Sequence, residues 1–289
     1  MHRILTAVTV TLLVLSSAPD ASAQLLAAAN GPIVYGHHHV NATSVDEHKR
    51  FWAGALGGVV TPVGTGNVEV VKFPNALVFM RAQAPTGGTK GSTVDHIAFS
   101  VPNLRQVVDR IKAGGFRMVT TSEAPPNITV RDDIGVVEGG PVSGIAYAMG
   151  PDDVKVELVE LKAQAMPITS HHIHFFGAQT EMHAWYMKTF GATETASANP
   201  AAFISASLPG LGMNFAPSST PVAGTQGRAL DHIGFEVENL EAFTRQLQAQ
   251  GVTFTVPYRQ VPALGIAIAF FTDPFGTYIE LTEGLDAVK

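Results

Sequence analysis

Apolar and polar positions alternate with a period of two in His96-Ile97-Ala98-Phe99-Ser100-Val101, and again in His232-Ile233-Gly234-Phe235-Glu236-Val237. Successive side chains of a strand leave on opposite faces. Ile97, Phe99 and Val101 therefore mark a buried face, and His96, Ala98 and Ser100 share the other. Ile233, Phe235 and Val237 repeat the pattern, with His232, Gly234 and Glu236 opposite them. Helical spacing follows. Val107, Val108 and Ile111 recur at helical intervals, and a glycine closes the segment. Three further stretches read the same way: VDEHKRFWAGALGG, QTEMHAWYMKTFGA and LEAFTRQLQAQG. A histidine-bearing strand precedes each helix. Short β-branched or aromatic runs, broken by Gly, Pro, Asn and Asp, come after it. One unit is thus a strand, a helix and about three strands, and the chain holds four units.

The units are copies. VDHIAFSVPNL (94–104) and LDHIGFEVENL (230–240) lie 136 residues apart and agree at 7 of 11 positions. GHHHVNATSVDEHKRFWAGALGG (36–58) aligns with SHHIHFFGAQTEMHAWYMKTFGA (170–192) at an offset of 134. GIAYAMGPDDVKVELVE (144–160) aligns with GIAIAFFTDPFGTYIELTE (265–283). The chain reads as a tandem duplication, 30–163 and 166–286, with a joint at Ala163–Met166 before Pro167. In the closing strand Ile279 and Leu281 point inward while Tyr278 and Glu280 point away, and Glu157 holds the place of Glu280 in the first copy. The turn GPDD (150–153) is a turn and no metal loop. Phe51-Trp52 and Trp185-Tyr186 are core pairs. TGGTKG (86–91) lacks the spacing of a phosphate loop and reads as a connector between units.

Composition narrows the classes. Residues 1–23 carry a short positive start, an apolar run from Ile4 to Leu15 and the small triplet Ala21-Ser22-Ala23. That is the pattern of a secretory leader cleaved before Gln24, which predicts a secreted or periplasmic protein. The apolar run is too short to span a bilayer. No membrane partner is expected once the leader is removed. The net charge of −6 and the absence of a basic block speak against nucleic acid. With no cysteine, the chain has neither disulfides nor thiolate chemistry.

Candidate chemistry lies in the histidines. Of 11, 8 stand at the starts of the four helix-preceding strands: His37, His38, His39, His96, His171, His172, His174 and His232. Chance scatter does not concentrate them there, whereas a need for imidazoles on one concave face would. The DHIAFSVPNL and DHIGFEVENL strands, their helices and the DPFGTYIELTE hairpin resemble the vicinal oxygen chelate superfamily of glyoxalases, bleomycin-resistance proteins and extradiol dioxygenases.

The resemblance covers nearly all of the chain after the leader. It implies an α+β fold in which four βαβββ modules pair into two half-barrels, with residues 30–163 and 166–286 each a glyoxalase-like domain. It also implies metal ligands on the first and last strands of the modules. These are His37, His96 and Glu157 in the first copy, and His171 or His172 with His232 and Glu280 in the second. The helix aromatic pair favours His171, strand alternation favours His172, and a one-residue gap separates the two readings. Two imidazoles and a carboxylate hold a divalent ion (Fe2+, Mn2+, Zn2+ or Ni2+) on one face and leave the rest open. The open face suits a small molecule with two adjacent oxygens.

The strands at 73–79 and 208–214 hold no carboxylate, which departs from the glyoxalase type with its fourth ligand. No counterpart of the dioxygenase acid/base histidine stands between 193 and 228. Tyr278 is the candidate acid/base and Tyr258 a second tyrosine near the same cup. His38, His39 and His174 are read as groups that support the ligands or face solvent. The expected function is an exported metal-dependent enzyme, dioxygenase-like or lyase/isomerase-like, working as a monomer or homodimer. The alternative is a non-catalytic protein that sequesters a small molecule, and a third reading keeps one copy working and the other structural.

Overall fold

A computed structural model describes residues 25–65 and 68–288. The leader pattern and its cleavage point lie outside them. Unit one comprises β1 (Val34–Ala42), α1 (Val45–Lys49), β2 (Val59–Val63), β3 (Val68–Phe73) and β4 (Ala76–Ala82). Unit two comprises β5 (Val94–Val101), α2 (Leu104–Ala113), β6 (Arg117–Met118), α3 (Thr120–Glu123), β7 (Val130–Arg131), β8 (Ile134–Val136), β9 (Gly144–Met149) and β10 (Lys155–Glu160). Unit three comprises β11 (Thr169–Gly177), α4 (Gln179–Phe190), β12 (Thr193–Thr195), β13 (Ile204–Leu208) and β14 (Leu211–Pro217). Unit four comprises β15 (Leu230–Glu236), α5 (Leu240–Ala249), β16 (Phe254–Val261), β17 (Ile266–Thr272) and β18 (Tyr278–Glu283).

The repeated Asn-Leu that ends both aligned lines has a local cause. Asn103 and Asn239 are N-caps, each accepting a hydrogen bond at 3.0 Å from a backbone N–H of the first turn (Gln106 and Ala242). Leu104 and Leu240 then open the buried helix faces, which continue through Val107, Val108 and Ile111, and through Phe243 and Leu247. Gly191 ends α4 in the left-handed region at φ 69°, where a side chain would be strained.

Two sheets form, and each draws strands from both copies. One runs β16-β17-β18-β15-β1-β4-β3-β2, joining unit four to unit one; the other runs β12-β13-β14-β11-β5-β10-β9-β8-β7, joining unit three to unit two. The seams are antiparallel, β1 against β15 and β5 against β11. The expected division into a 30–163 half-barrel and a 166–286 half-barrel is therefore corrected: the copy boundary divides the sequence, not the sheets. The reason is connector length. The short joint 161–168 keeps β11 in the sheet that β10 has just joined. The long connectors 83–93 and 218–229 carry the chain across between sheets, and they hydrogen-bond to each other on the way. Thr86 N–H donates to Gly227 at 2.8 Å, Ala229 N–H to Gly87 at 2.8 Å, and Thr93 N–H to Ala223 at 2.9 Å. The TGGTKG segment is thus a connector, and Gly88 lies so close to Asp153 that an added Cβ would stand 2.6 Å from its Cβ.

The apolar strand faces and the helices share one core. Phe73 of the first sheet meets Phe99 of the second at 4.7 Å between ring centres, and Phe190 of α4 meets Phe235 at 5.2 Å. Phe51, Trp52 and Tyr186 are fully buried in it. Each such side chain contributes about 2–3 kcal/mol of burial free energy. His38 also points into this core, beside the Tyr35 hydroxyl. Burial, and then the neighbouring His37, pull its pKa down to about 3, so it is a neutral core group rather than a ligand support.

Candidate metal centres in two cups

The opposite faces of the two sheets are concave, and the alternation places the histidines there. In the first cup β1 supplies His37, β15 supplies His232 and β18 supplies Glu280. His37 Nε2 is 2.7 Å and His232 Nε2 is 3.0 Å from the same oxygen, Glu280 Oε2. In the second cup β5 supplies His96, β10 supplies Glu157 and β11 supplies His172. His96 Nε2 is 2.9 Å and His172 Nε2 is 3.1 Å from Glu157 Oε2. The sequence grouping of His37 with His96 and Glu157, and of His171 or His172 with His232 and Glu280, is corrected accordingly. Each set takes its first-strand histidine from one copy and its His–Glu pair from the other.

The donor spacing fits a divalent ion. Two donors each about 2.1 Å from one ion, at right angles, stand about 3 Å apart. The four His–Glu separations bracket that value. Every donor is at most 8 % exposed, so an uncompensated cluster would be costly to bury.

The aspartates of the two Asp-His pairs supply the next layer. Asp95 Oδ1 accepts from His96 Nδ1 at 2.7 Å, and Asp231 Oδ1 from His232 Nδ1 at 2.6 Å. A carboxylate on Nδ1 fixes the tautomer that leaves Nε2 facing the cup. This explains why both copies keep Asp with His. Burial disfavours the protonated imidazole, but Asp95 with Glu157, and Asp231 with Glu280, outweigh it and raise the pKa of His96 and His232. Burial also opposes ionisation of Glu157, yet His172 and His96 hold its pKa well below the usual carboxylate value. Glu280 is lowered in the same way by His37 and His232. Asp95 falls to about 2, because His96 and Lys155 outweigh its burial.

The ambiguity between His171 and His172 has a structural answer. His172 reaches Glu157, whereas His171 stands behind it with Nδ1 2.8 Å from His172 Nδ1. Both first strands carry an irregularity at the same place, between Tyr35 and His37 and between Ser170 and His172. His172 is therefore the partner of His37. Unit one is one residue longer between this histidine and the helix-ending glycine, and α1 absorbs the extra residue by running into a π-helical turn, Arg50–Ala55. The aromatic pair was displaced by that turn, which is why it pointed to His171.

Beyond the donors the cups differ. In the first, His37 lies beside Leu77 and His39 beside Phe79, with Val70 across from Phe79. Leu77, Phe79, Val70, Ile266 and Ile268 pack with Leu25 and Leu285 into an apolar cluster. In the second, the matching neighbours are Gly212, Asn214 and Ser205. A cavity of about 1460 Å³ opens there onto His96, Glu157, His172 and His174.

Tyr278 lies in the filled cup, stacked on Phe270 at 5.3 Å and 5.6 Å from the His232 ring, with its pKa raised by burial. Tyr258 packs at the edge of the main core. In the open cup, Tyr147 lies directly across from Glu157, where the first cup has Phe270 across from Glu280. Its ring stands perpendicular to His96 at 5.6 Å. Burial, then Glu157, push its hydroxyl far above the usual tyrosine value, so it stays protonated. Sequence reasoning missed Tyr147. The Gly-Ile-Ala runs set Tyr147 against Ile268, and the match with Phe270 shows only on counting back from the closing glutamates, since Tyr147 and Phe270 each precede theirs by 10 residues.

Residues 177–281 match the family model described as Glyoxalase/Bleomycin resistance protein/Dioxygenase superfamily. Among solved structures, glyoxalase I from Zea mays is similar at 16 % identity and a TM-score of 0.67, covering 88 % of this chain and 94 % of that one. A Bacillus subtilis protein described as a candidate dioxygenase is similar at 14 % identity and a TM-score of 0.61, covering 88 % and 86 %. At these identities the likeness establishes the fold. No curated protein matches the sequence.

Proposed function

Starting from a chain whose residues 177–281 match the family model of the glyoxalase, bleomycin-resistance and dioxygenase superfamily, we propose a metal-dependent enzyme that works through its second cup. His96, His172 and Glu157 would hold a divalent ion there. The observation that carries this reading is the convergence of three buried donors at 2.9 and 3.1 Å on the floor of a 1460 Å³ cavity. When bound, the ion acts as a Lewis acid towards a substrate with two adjacent oxygens. Asp95 and His171 orient the two imidazoles from behind. Tyr147, protonated and beside Glu157, is the group placed to donate a proton to an oxygen in the cup. It replaces Tyr278 in that role, because Tyr278 belongs to the cup filled by side chains. The leader pattern of residues 1–23 supports export.

The first cup keeps a donor set, His37, His232 and Glu280, and is proposed as a structural metal site or a bare hydrogen-bonded cluster. The test is metal analysis of the protein expressed in medium with added Fe, Mn, Zn and Ni. At least one equivalent is expected, lost in Glu157→Ala. A wild-type protein without stoichiometric metal would instead support the sequestering reading.

A further inference from the structure

His39 and His174 occupy the same place in the two cups, two residues beyond His37 and His172 and beside His232 and His96. Their surroundings differ. His39 lies flat against Phe79, with an interplanar angle of 12°, and its nitrogens do not join the donor set of the first cup. At the matching place beside His174 stands Asn214, whose side-chain oxygen is taken by Ser205 at 2.8 Å. No aromatic ring covers His174 on that side, and Phe176 of its own strand lies 5.2 Å away, tilted by 33°. Its ring is 4.7 Å from His96 and meets Phe203 edge-on at 5.2 Å.

The potential ligand atoms of His96, Glu157, His172 and His174 all lie within 4.8 Å of one another. His174 Nε2 is buried and has no hydrogen-bond partner among the described residues; the same holds for His39 Nε2, but only His174 stands within reach of its cup's other donors. An unpaired buried ring nitrogen costs free energy unless something fills its place.

We infer that His174 is a fourth protein donor to the ion in the second cup, giving a three-histidine, one-carboxylate set that the first cup cannot form. The inference rests on the reading of that cup as a metal site and goes beyond it in coordination number. Four protein donors would leave fewer open positions on a bound ion than three would, which narrows what else the cup could hold.

Cu2+ alone is the probe, in the full-length Glu280→Ala protein, where the first cup no longer loads. His37→Ala serves as a second background should that variant fail to fold by circular dichroism. Pulsed electron paramagnetic resonance counts the coordinated imidazoles. Three are expected, falling to two in His174→Ala, with Cu2+ affinity weakened by about tenfold or more. One equivalent of Cu2+ with two imidazoles in both proteins, and unchanged affinity, would overturn the fourth donor and leave the metal site standing. Folded protein that takes up no Cu2+ would overturn both.

Discussion

The two cups are built from the same unit pairing and the same His–His–Glu arrangement, yet one is packed and the other open. The difference lies in a few positions flanking the donors. Leu77, Phe79 and Val70 stand where Gly212, Asn214 and Ser205 stand in the second cup. Phe270 stands where Tyr147 does. The partner of the first-strand histidine also changes. His172 Nδ1 has His171 behind it, while His37 Nδ1 is buried and unpartnered. The chain carries two equivalent donor sets, and side-chain volume on the concave face decides which one opens onto a cavity.

The largest effect is expected from removing the carboxylates one at a time. Glu157→Ala leaves two buried imidazoles without the oxygen they share and should abolish metal binding in the open cup and all turnover. Glu280→Ala should remove the metal of the filled cup, if one binds, and leave the metal of the open cup in place. Elemental analysis of both proteins, with activity towards a panel of small vicinal-oxygen compounds, checks this. Loss of activity in Glu280→Ala but not in Glu157→Ala would reverse the roles of the cups.

Filling and emptying the cups tests the volume argument directly. Phe79→Ala should destabilise the fold by about 3–5 kcal/mol in denaturant titrations, the usual cost of a large cavity in an apolar cluster. Asn214→Phe should leave stability nearly unchanged while blocking small-molecule binding, because it puts into the open cup what Phe79 puts into the other. A protein that tolerates Phe79→Ala without loss would show that the first cup is not held by its packing.

Much of this was legible in the alternation of two short strands. Period-two patterning put His96, His232, Glu157 and Glu280 on the concave face, and the Asp beside each strand histidine carried its orienting group. The pairing of units was not legible, because alternation fixes which face a side chain takes but not which strand lies alongside. Only the lengths of 83–93, 161–168 and 218–229 hinted at the crossing. His172 could not be told from His171, since the extra residue of unit one is hidden in a π-helical turn that leaves the helical spacing of apolar positions almost intact. The filling of one cup was written in Leu77 and Phe79, but as ordinary strand residues. Their meaning came from standing next to His37 and His39.

A third difference concerns pH. Glu236 shares the concave face with His232 and accepts hydrogen bonds from Thr282 Oγ1 at 2.6 Å and Leu285 N–H at 2.9 Å. The matching residue of the open cup is Ser100. Burial pushes the Glu236 carboxyl up from 4.5 to about 7. Its folded-state pKa exceeds its unfolded one, so the stability it contributes is complete below about 4.5 and is lost as pH rises through about 7. Glu236→Gln, which keeps the hydrogen bonds and removes the charge, should flatten the stability profile over that window by about 3 kcal/mol. Unfolding curves of both proteins at pH 4.5, 6 and 8 measure it, and parallel profiles would refute it.

The smallest expected effect compares the two orienting aspartates. Asp231 is held by Asn41 Nδ2 at 3.0 Å and Gly227 N–H at 2.7 Å, all within the filled cup. Asp95 is paired instead with Lys155, whose ammonium also meets Glu123 Oε2 at 3.0 Å. Replacing either carboxylate by an amide keeps an acceptor for the imidazole N–H but lowers the basicity of the ring. Asp95→Asn should therefore weaken metal binding in the open cup by about 10- to 100-fold. It also leaves Lys155 as a buried cation that Glu123 alone must balance. Asp231→Asn should produce the same loss in the other cup with a different second cost, because an amide that keeps its oxygen on His232 turns its NH2 towards two donors, Asn41 Nδ2 and Gly227 N–H. Lys155→Met combined with Asp95→Asn separates the two contributions. If the double variant regains stability but not affinity, orientation of His96 is the function of Asp95 and the lysine serves only to balance its charge. Recovery of affinity as well would mean that the unpaired lysine, by repelling the ion, was the cause of the loss.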